Sequence, residues 1–476
     1  MTRPVLFALL MLGGTASLAA DQPPRASIDL IVAGDYVVTM DDAATVIEAG
    51  SVAIDDGRIV AVGKAADVDA RYAARTRLPG DGRVVMPGLI NGHTHAAMTL
   101  LRGIADDLAL ESWLKDYVFP AEVTFVDEAF VRIGTELACW EMIRGGTTTF
   151  VDMYYFPATA ARAVESCGLR AIITAPVLDQ QTPDARNAAD ALERGRRFIE
   201  AWQGRSERIV PAWGPHSNYT LNLEQLGRVR DAALASGTRI SIHLLESPFE
   251  VAHSKERYGD TTVQLLERMQ FFTVPTIGAH VVWPSPDEID ILARRSVGAI
   301  YNPTSNMKTA AGIAPVTDML AAGVNVGIGT DGAASNNDLD MWEEMRLAAL
   351  LQKVARMDPE VLPASVVLRM ATAGGAAAIG LADRIGRLVP GLAADVIQVA
   401  VDDMHFIPTY DLISHLVYVA DEQDVAAVVV DGRVLLLDGE FPTLDIERIR
   451  RESRELGQRI RARLPALNAD QQQQAP

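Results

Sequence analysis

Eight short apolar runs, each followed by an amphipathic stretch, constrain this chain most. They end near Asn91, Val151, Ala175, Trp213, Leu244, Ala279, Tyr301 and Gly329. Segments with helical spacing lie between them, for example Asp127–Ile143, Pro157–Cys167, Leu223–Ala235 and Pro315–Ala322. Strands alternating with helices pair in parallel, because the helix carries the chain back across the sheet. Eight such units in roughly 300 residues predict an α/β fold, a (β/α)8 TIM barrel.

Strand-rich segments flank the barrel on both sides. Ser51–Ile54 and Arg58–Val62 bracket Asp55-Asp56-Gly57, a hairpin signal. Ala427–Val430, Asp431-Gly432 and Arg433–Leu437 repeat it near the other end, with a further strand at Ala394–Val399. These ends are expected to join in a small composite β-sandwich domain. The expected organisation is residues 20–86 and 389–444 for that domain and 87–388 for the barrel. Residues 445–476 follow as an amphipathic helix and a disordered Gln-rich tail.

With 476 residues, of which 49% are hydrophobic, the chain can bury a large core. Its net charge of -19 excludes non-specific binding to nucleic acid and disfavours an anionic membrane surface. The two cysteines, Cys139 and Cys167, sit in apolar helical stretches and read as buried free thiols. At the start, Thr2-Arg3 precedes an apolar run from Pro4 to Leu12 and small residues to Ala20. That order predicts a signal peptide over residues 1–19 and export, to a bacterial periplasm. The alternative is an N-terminal anchor, for which the run is short.

In a (β/α)8 barrel, chemistry gathers at the C-terminal ends of the strands. Strand one ends in His93-Thr94-His95, whose alternate side chains share one face. Strand four ends in His216, strand five carries His243 and Glu246, strand six ends in His280, and strand eight ends in Asp331. Five of the chain's eight histidines occupy these places, which makes incidental placement a poor explanation. His93, His95, His243 and Asp331 supply four nitrogen and oxygen ligands of the kind a zinc site uses. Such a metal acidifies water and makes hydroxide available. Glu246 suits a general acid/base, His280 can orient the attacking water, and Asp331 can accept its proton.

These residues resemble the amidohydrolase superfamily, over about Ile28 to Glu440. Within it the chain looks like the methylthioadenosine/S-adenosylhomocysteine deaminases. The matches are Pro87–His95, Met98–Gly103, Trp213–Ser217, His243–Glu246, Asn302–Lys308, Gly312–Val316 and Gly329–Asp340. The resemblance implies one divalent metal, usually zinc, on His93, His95, His243 and Asp331. It implies that Glu246 protonates the purine ring, that Asp331 and His280 manage the hydroxide, and that ammonia leaves an inosine-type product. It implies further that Glu122 holds the ribose hydroxyls and that His216 contacts the nucleoside. Trp113 reads equally as pocket wall or core. Relatives often assemble as dimers or larger oligomers, although no interface stands out here.

Three departures bear on the substrate. Relatives that accept S-adenosylhomocysteine carry an arginine just after strand three. Here Thr174–Asp179 has none, and the next is Arg186. Without a bidentate carboxylate partner, methylthioadenosine or adenosine is favoured over S-adenosylhomocysteine. Tyr301 stands where relatives often have His or Cys. An export signal is unusual for an enzyme of cytosolic metabolites. The competing readings are a hydrolase of a guanine-like base, pterin or chloro-triazine on the same scaffold, and a non-catalytic periplasmic binding protein.

Overall fold

The computed structural model describes residues 25–474, with side chains to Leu464. The eight apolar runs become eight parallel strands: Leu89–Thr94, Thr147–Asp152, Arg170–Val177, Ile209–Pro215, Ile240–Leu244, Thr276–His280, Gly298–Tyr301 and Val326–Ile328. They are hydrogen-bonded in sequence order. The Asp331 N–H then donates to the His93 carbonyl at 3.0 Å, which brings the last strand end back to the first. The strands are buried almost throughout, as parallel strands covered by helices must be. Ile90, Val151, Ile172, Ala212, Ile277 and Ile300 pack together in the barrel's centre, so it is a filled core and not a channel.

The helices begin where local chemistry lets them. Asp127 accepts from the Phe130 N–H at the start of Glu128–Arg144. Asn222 and Ser285 form reciprocal caps before Leu223–Ser236 and Pro286–Arg294. A less regular helical run, Leu110–Phe125, follows strand one and contains one wide turn over Trp113–Val118. Its side chains Leu110, Trp113, Leu114, Phe119 and Glu122 reach the cavity at the strand ends.

The two flanking strand-rich segments join in one eight-stranded sheet of mixed sense. Its order runs Arg433–Leu437, Val425–Val430, Val396–Ala400, Arg83–Pro87, Ala26–Val38, Val46–Asp55, Arg58–Lys64, with Tyr72–Leu78 also pairing to Ala26–Val38. Residues from both ends of the chain, including Val32, Val52, Ile59, Val396 and Val429, share one apolar core. The two expected hairpins form. Their tips, Asp56-Gly57 and Asp431-Gly432, have positive φ at both residues, the backbone that a two-residue hairpin turn requires. A Cβ on Gly57 would lie 2.9 Å from the Asp431 carbonyl oxygen, so the close approach of the tips depends on glycine.

Arg170, on strand three, ties barrel to sheet. It donates to both carboxylate oxygens of Asp395 at 2.7 and 3.1 Å, and both side chains are almost fully buried. The last helix, Ile446–Gln474, runs through the Gln-rich segment expected to be disordered; glutamine is a fair helix former. Cys139 and Cys167 are buried free thiols. Among the described residues no helix is long and apolar enough to cross a membrane.

Candidate active site

Every residue singled out for chemistry comes to the C-terminal mouth of the barrel. His95, Trp113, Glu122, His216, His243, Glu246, His280 and Asp331 line one cavity with about 600 Å³ of atom-free space. His93 lies directly behind, fully buried, its ring centroid 4.9 Å from those of His95 and His243. Trp113, equally readable as wall or core, is a wall residue that is also 93% buried.

The donor atoms converge with their orientations fixed from behind. The His95 Nδ1 lies 2.5 Å from the Met153 carbonyl, and the His243 Nδ1 2.9 Å from the His216 carbonyl. Each ring must donate its Nδ1–H there, which turns Nε2 forward as a bare acceptor. Asp331 accepts at Oδ2 from Ser305 at 2.6 Å and from Ser335 at 2.8 Å, leaving Oδ1 for the front. Oδ1 lies 3.3 Å from His93 Nε2 and 3.2 Å from His95 Nε2. His95 Nε2 and His243 Nε2 are 3.3 Å apart.

This arrangement fits a metal ion. Two imidazole acceptors facing each other at 3.3 Å repel unless a proton or a cation lies between them. His93 Nε2, His280 Nε2 and Asp331 Oδ1 are buried with no hydrogen-bond partner, a costly state that a cation relieves. Zinc–nitrogen bonds of ~2.0–2.1 Å in a tetrahedron place neighbouring ligand atoms about 3.3 Å apart. The separations of 3.2 and 3.3 Å found here match that edge. His93, His95 and His243 form one candidate ligand group, and His93, His280 and Asp331 an overlapping one.

Electrostatics separates the two strand-one imidazoles. Burial depresses His93 to about 4 although Asp331 opposes it. Burial also works against a charged His95, but the hydrogen bond and charge of Asp331 and the Met153 carbonyl lift it to about 9. Burial pulls Asp331 up, but His93 and His95 hold it well below the usual carboxylate range. Burial and the neighbouring imidazoles keep His243 neutral, and burial with the charge of His95 takes His216 down to about 3.

Across the cavity, Glu246 Oε1 lies 3.8 Å from His280 Nε2. Burial raises the Glu246 carboxyl, the direction that suits a proton donor near neutrality. The His280 Nδ1 sits 2.8 Å from Asn306 Oδ1 and 3.2 Å from Asn302 Nδ2, which fixes the ring. Glu122, one per cent exposed, also lines the cavity and is raised to about 7 by burial. The Tyr155 hydroxyl donates to its Oε2 at 3.0 Å.

The supporting groups Tyr154, Tyr155, Ser305 and Ser335 were missed from the sequence. Tyr154-Tyr155 directly follows strand two and could have been found by the strand-end rule already applied to the histidines. Tyr301 is buried in the core and does not line the cavity. Arg186 lies in an exposed ion pair with Asp190 at 3.2 Å and also stays outside the cavity.

Known proteins bear out the architecture. The 5'-deoxyadenosine deaminase of Methanosarcina mazei is 44% identical over 437 residues, 92% of this chain and 99% of its own. A 5-methylthioadenosine/S-adenosylhomocysteine deaminase of Desulforudis audaxviator is 45% identical over 412 residues, 86% and 95% of the two chains. An adenosine deaminase from Xanthomonas campestris, solved with bound zinc, superposes with a TM-score of 0.90 at 36% identity. It covers 92% of this chain and all of its own. The expectation of export to a bacterial periplasm is corrected by these relatives. Those matched from end to end are deaminases of archaea and bacteria alike, for which a bacterial export compartment is no common address. The signal-like residues 1–19 lie outside the described residues. The model of the amidohydrolase family, whose members are metal-dependent, matches residues 84–435, and with these full-length relatives it establishes that the chain belongs to that family.

Proposed function

We propose that this protein is a metal-dependent hydrolytic deaminase of adenosine derivatives, releasing ammonia and the inosine analogue. One observation carries the reading: the His93, His95, His243 and Asp331 donors and the Glu246–His280 pair come together at one cavity that a further buried carboxylate, Glu122, also lines. His93, His95, His243 and Asp331 would hold one divalent ion, with zinc the preferred species. The strand-four end offers His216 and no lysine to bridge a second metal. When bound, such an ion lowers the pKa of water toward neutrality and so supplies a nucleophile.

The protein's own groups then divide the work. Glu122 accepts the ribose hydroxyls and sets the base with its amino-bearing carbon toward the histidines. His216 and Trp113 confine the nucleoside from the sides. Glu246 delivers its proton to the ring nitrogen beside that carbon as water adds, which neutralises the charge that the addition would leave there. His280 and Asp331 take the water's two protons, pass one to the departing amino group and return the other to Glu246, which restores the proton it gave to the ring. Ammonia leaves, and the carbonyl of the product remains. Methylthioadenosine and adenosine are favoured over S-adenosylhomocysteine, because among the described residues no arginine lines the cavity to meet an amino-acid carboxylate.

The test is turnover by the zinc-reconstituted protein. Adenosine, methylthioadenosine and S-adenosylhomocysteine are offered in parallel, with ammonia release and the adenine-to-hypoxanthine absorbance change as readouts. Turnover of the first two supports the reading. No turnover of any adenosine derivative by the zinc-loaded protein overturns it and directs attention to free bases, pterins and triazines.

A further inference from the structure

Glu250 is a completely buried carboxylate that does not line the catalytic cavity. It sits in the first turn of the helix Pro248–Tyr258, which Ser247 caps by accepting from the Glu250 N–H at 3.3 Å. A carboxylate is not needed there for the cap itself. Its two oxygens point elsewhere. Oε2 accepts the Glu246 N–H at 2.9 Å, and Oε1 accepts the Thr262 hydroxyl at 3.1 Å. Thr262 in turn accepts from Asn218 Nδ2 at 3.0 Å, two residues past His216.

The reason Glu246 needs holding lies one residue earlier. Leu245 has φ 53°, the left-handed region, which a bulky residue adopts only under constraint. That turn ends strand five sharply and swings Glu246 into the cavity. It is clamped on one side by Val282 and Trp283, whose N–H groups donate to the Leu245 carbonyl at 3.0 and 3.1 Å. On the other side the clamp is the Glu250 carboxylate on the Glu246 N–H.

We propose that Glu250 is a positioning residue for the proton-transfer step: it holds the strained strand-five turn so that the Glu246 carboxyl faces the substrate. Through Thr262 and Asn218 it also fixes Glu246 relative to the loop that carries His216. The inference rests on the deaminase reading above, in which Glu246 is the proton donor.

The experiment compares Glu250→Ala, Glu250→Gln and Thr262→Val with the parent enzyme on methylthioadenosine, measuring kcat, KM, bound zinc and the thermal midpoint. A displacement of about 1 Å at a reacting group costs on the order of 100-fold in rate. Glu250→Ala is therefore expected to lower kcat by about 30- to 100-fold with KM within about threefold and zinc unchanged. Glu250→Gln keeps an oxygen for the Glu246 N–H and should recover kcat to within about fivefold of the parent. Thr262→Val should fall between, and it decides the matter if the alanine variant does not fold. A folded, zinc-loaded alanine variant with kcat within about threefold of the parent overturns the proposal. So does equal loss in the alanine and glutamine variants accompanied by loss of zinc, and so does unchanged kcat in Thr262→Val. An inactive parent enzyme instead overturns the deaminase reading.

Discussion

Glu122→Gln separates binding from stability in a way the structure makes quantitative. The carboxyl is one per cent exposed, and burial lifts it from an ordinary 4.5 to about 7 against the opposing influence of the Tyr154 and Tyr155 hydroxyls, of which Tyr155 donates to it. Below pH 4.5 the group is neutral in the folded and unfolded chain, and burial is free of charge. Above pH 7 it is ionised in both, and the folded state carries the full cost of about 3 kcal/mol. Stability is therefore lost as pH rises through 7, and glutamine removes that loss. The variant should gain about 2–3 kcal/mol over the parent between pH 5 and pH 8, read from urea denaturation at both values. Function moves the other way. An ionised acceptor for ribose hydroxyls is worth about 1.5–3 kcal/mol, so kcat/KM for adenosine should fall about 10- to 100-fold at pH 8. Free adenine has no ribose, and its slower turnover should change by less than about threefold by the same reasoning. Equal losses on nucleoside and base would refute the ribose assignment. A stability difference that is flat with pH would refute the argument from burial.

The Asp331 carboxylate is aimed by two hydroxyls, so Ser305→Ala together with Ser335→Ala should weaken zinc binding about 10- to 100-fold, as competition with a chromophoric chelator would show. Asp395→Ala strands the buried Arg170 guanidinium between barrel and sheet, and should cost about 3–5 kcal/mol in urea denaturation while kcat/KM of the folded enzyme stays within about twofold. S-adenosylhomocysteine should be turned over at least about tenfold less efficiently than methylthioadenosine, because its carboxylate finds no bidentate cation in the cavity; comparable kcat/KM values would show that another group receives it.

The chain's periodicity exposed the barrel because parallel strands covered on both faces must be continuous apolar runs, whatever their ligands. The candidate metal-ligand set was legible for a related reason. A histidine is conspicuous where an apolar run ends, and five of eight stood at such places. The supporting groups were hidden because their meaning depends on contacts between distant loops. Ser305 lies 26 residues before Asp331, and nothing local marks its hydroxyl as a donor to that carboxylate. Tyr155 reads as one more apolar residue until the helix carrying Glu122 folds over it. Glu250 looks like an ordinary acidic residue in a first helical turn. The export reading failed for the opposite reason: it rested on a local pattern of charge and apolarity alone.

Backbone strain marks the same strand ends independently of side-chain identity. Leu245 after strand five, His280 and Val281 at strand six, and Asp331 after strand eight all have positive φ, although none is glycine. Each such residue costs of order 1–3 kcal/mol and persists only where its surroundings over-determine it. Glycine would make these turns easily, but it would also leave them loose and would supply no ligand or acid. The barrel can hold them because its strands are anchored by the buried central layer and by hydrogen bonds across the strand ends, such as Asp331 N–H to the His93 carbonyl. Strain at the mouth and filled packing at the centre are therefore two parts of one arrangement. The second holds His95 Nε2 at 3.2 Å from Asp331 Oδ1 and 3.3 Å from His243 Nε2, and the first turns these donor atoms to face one another.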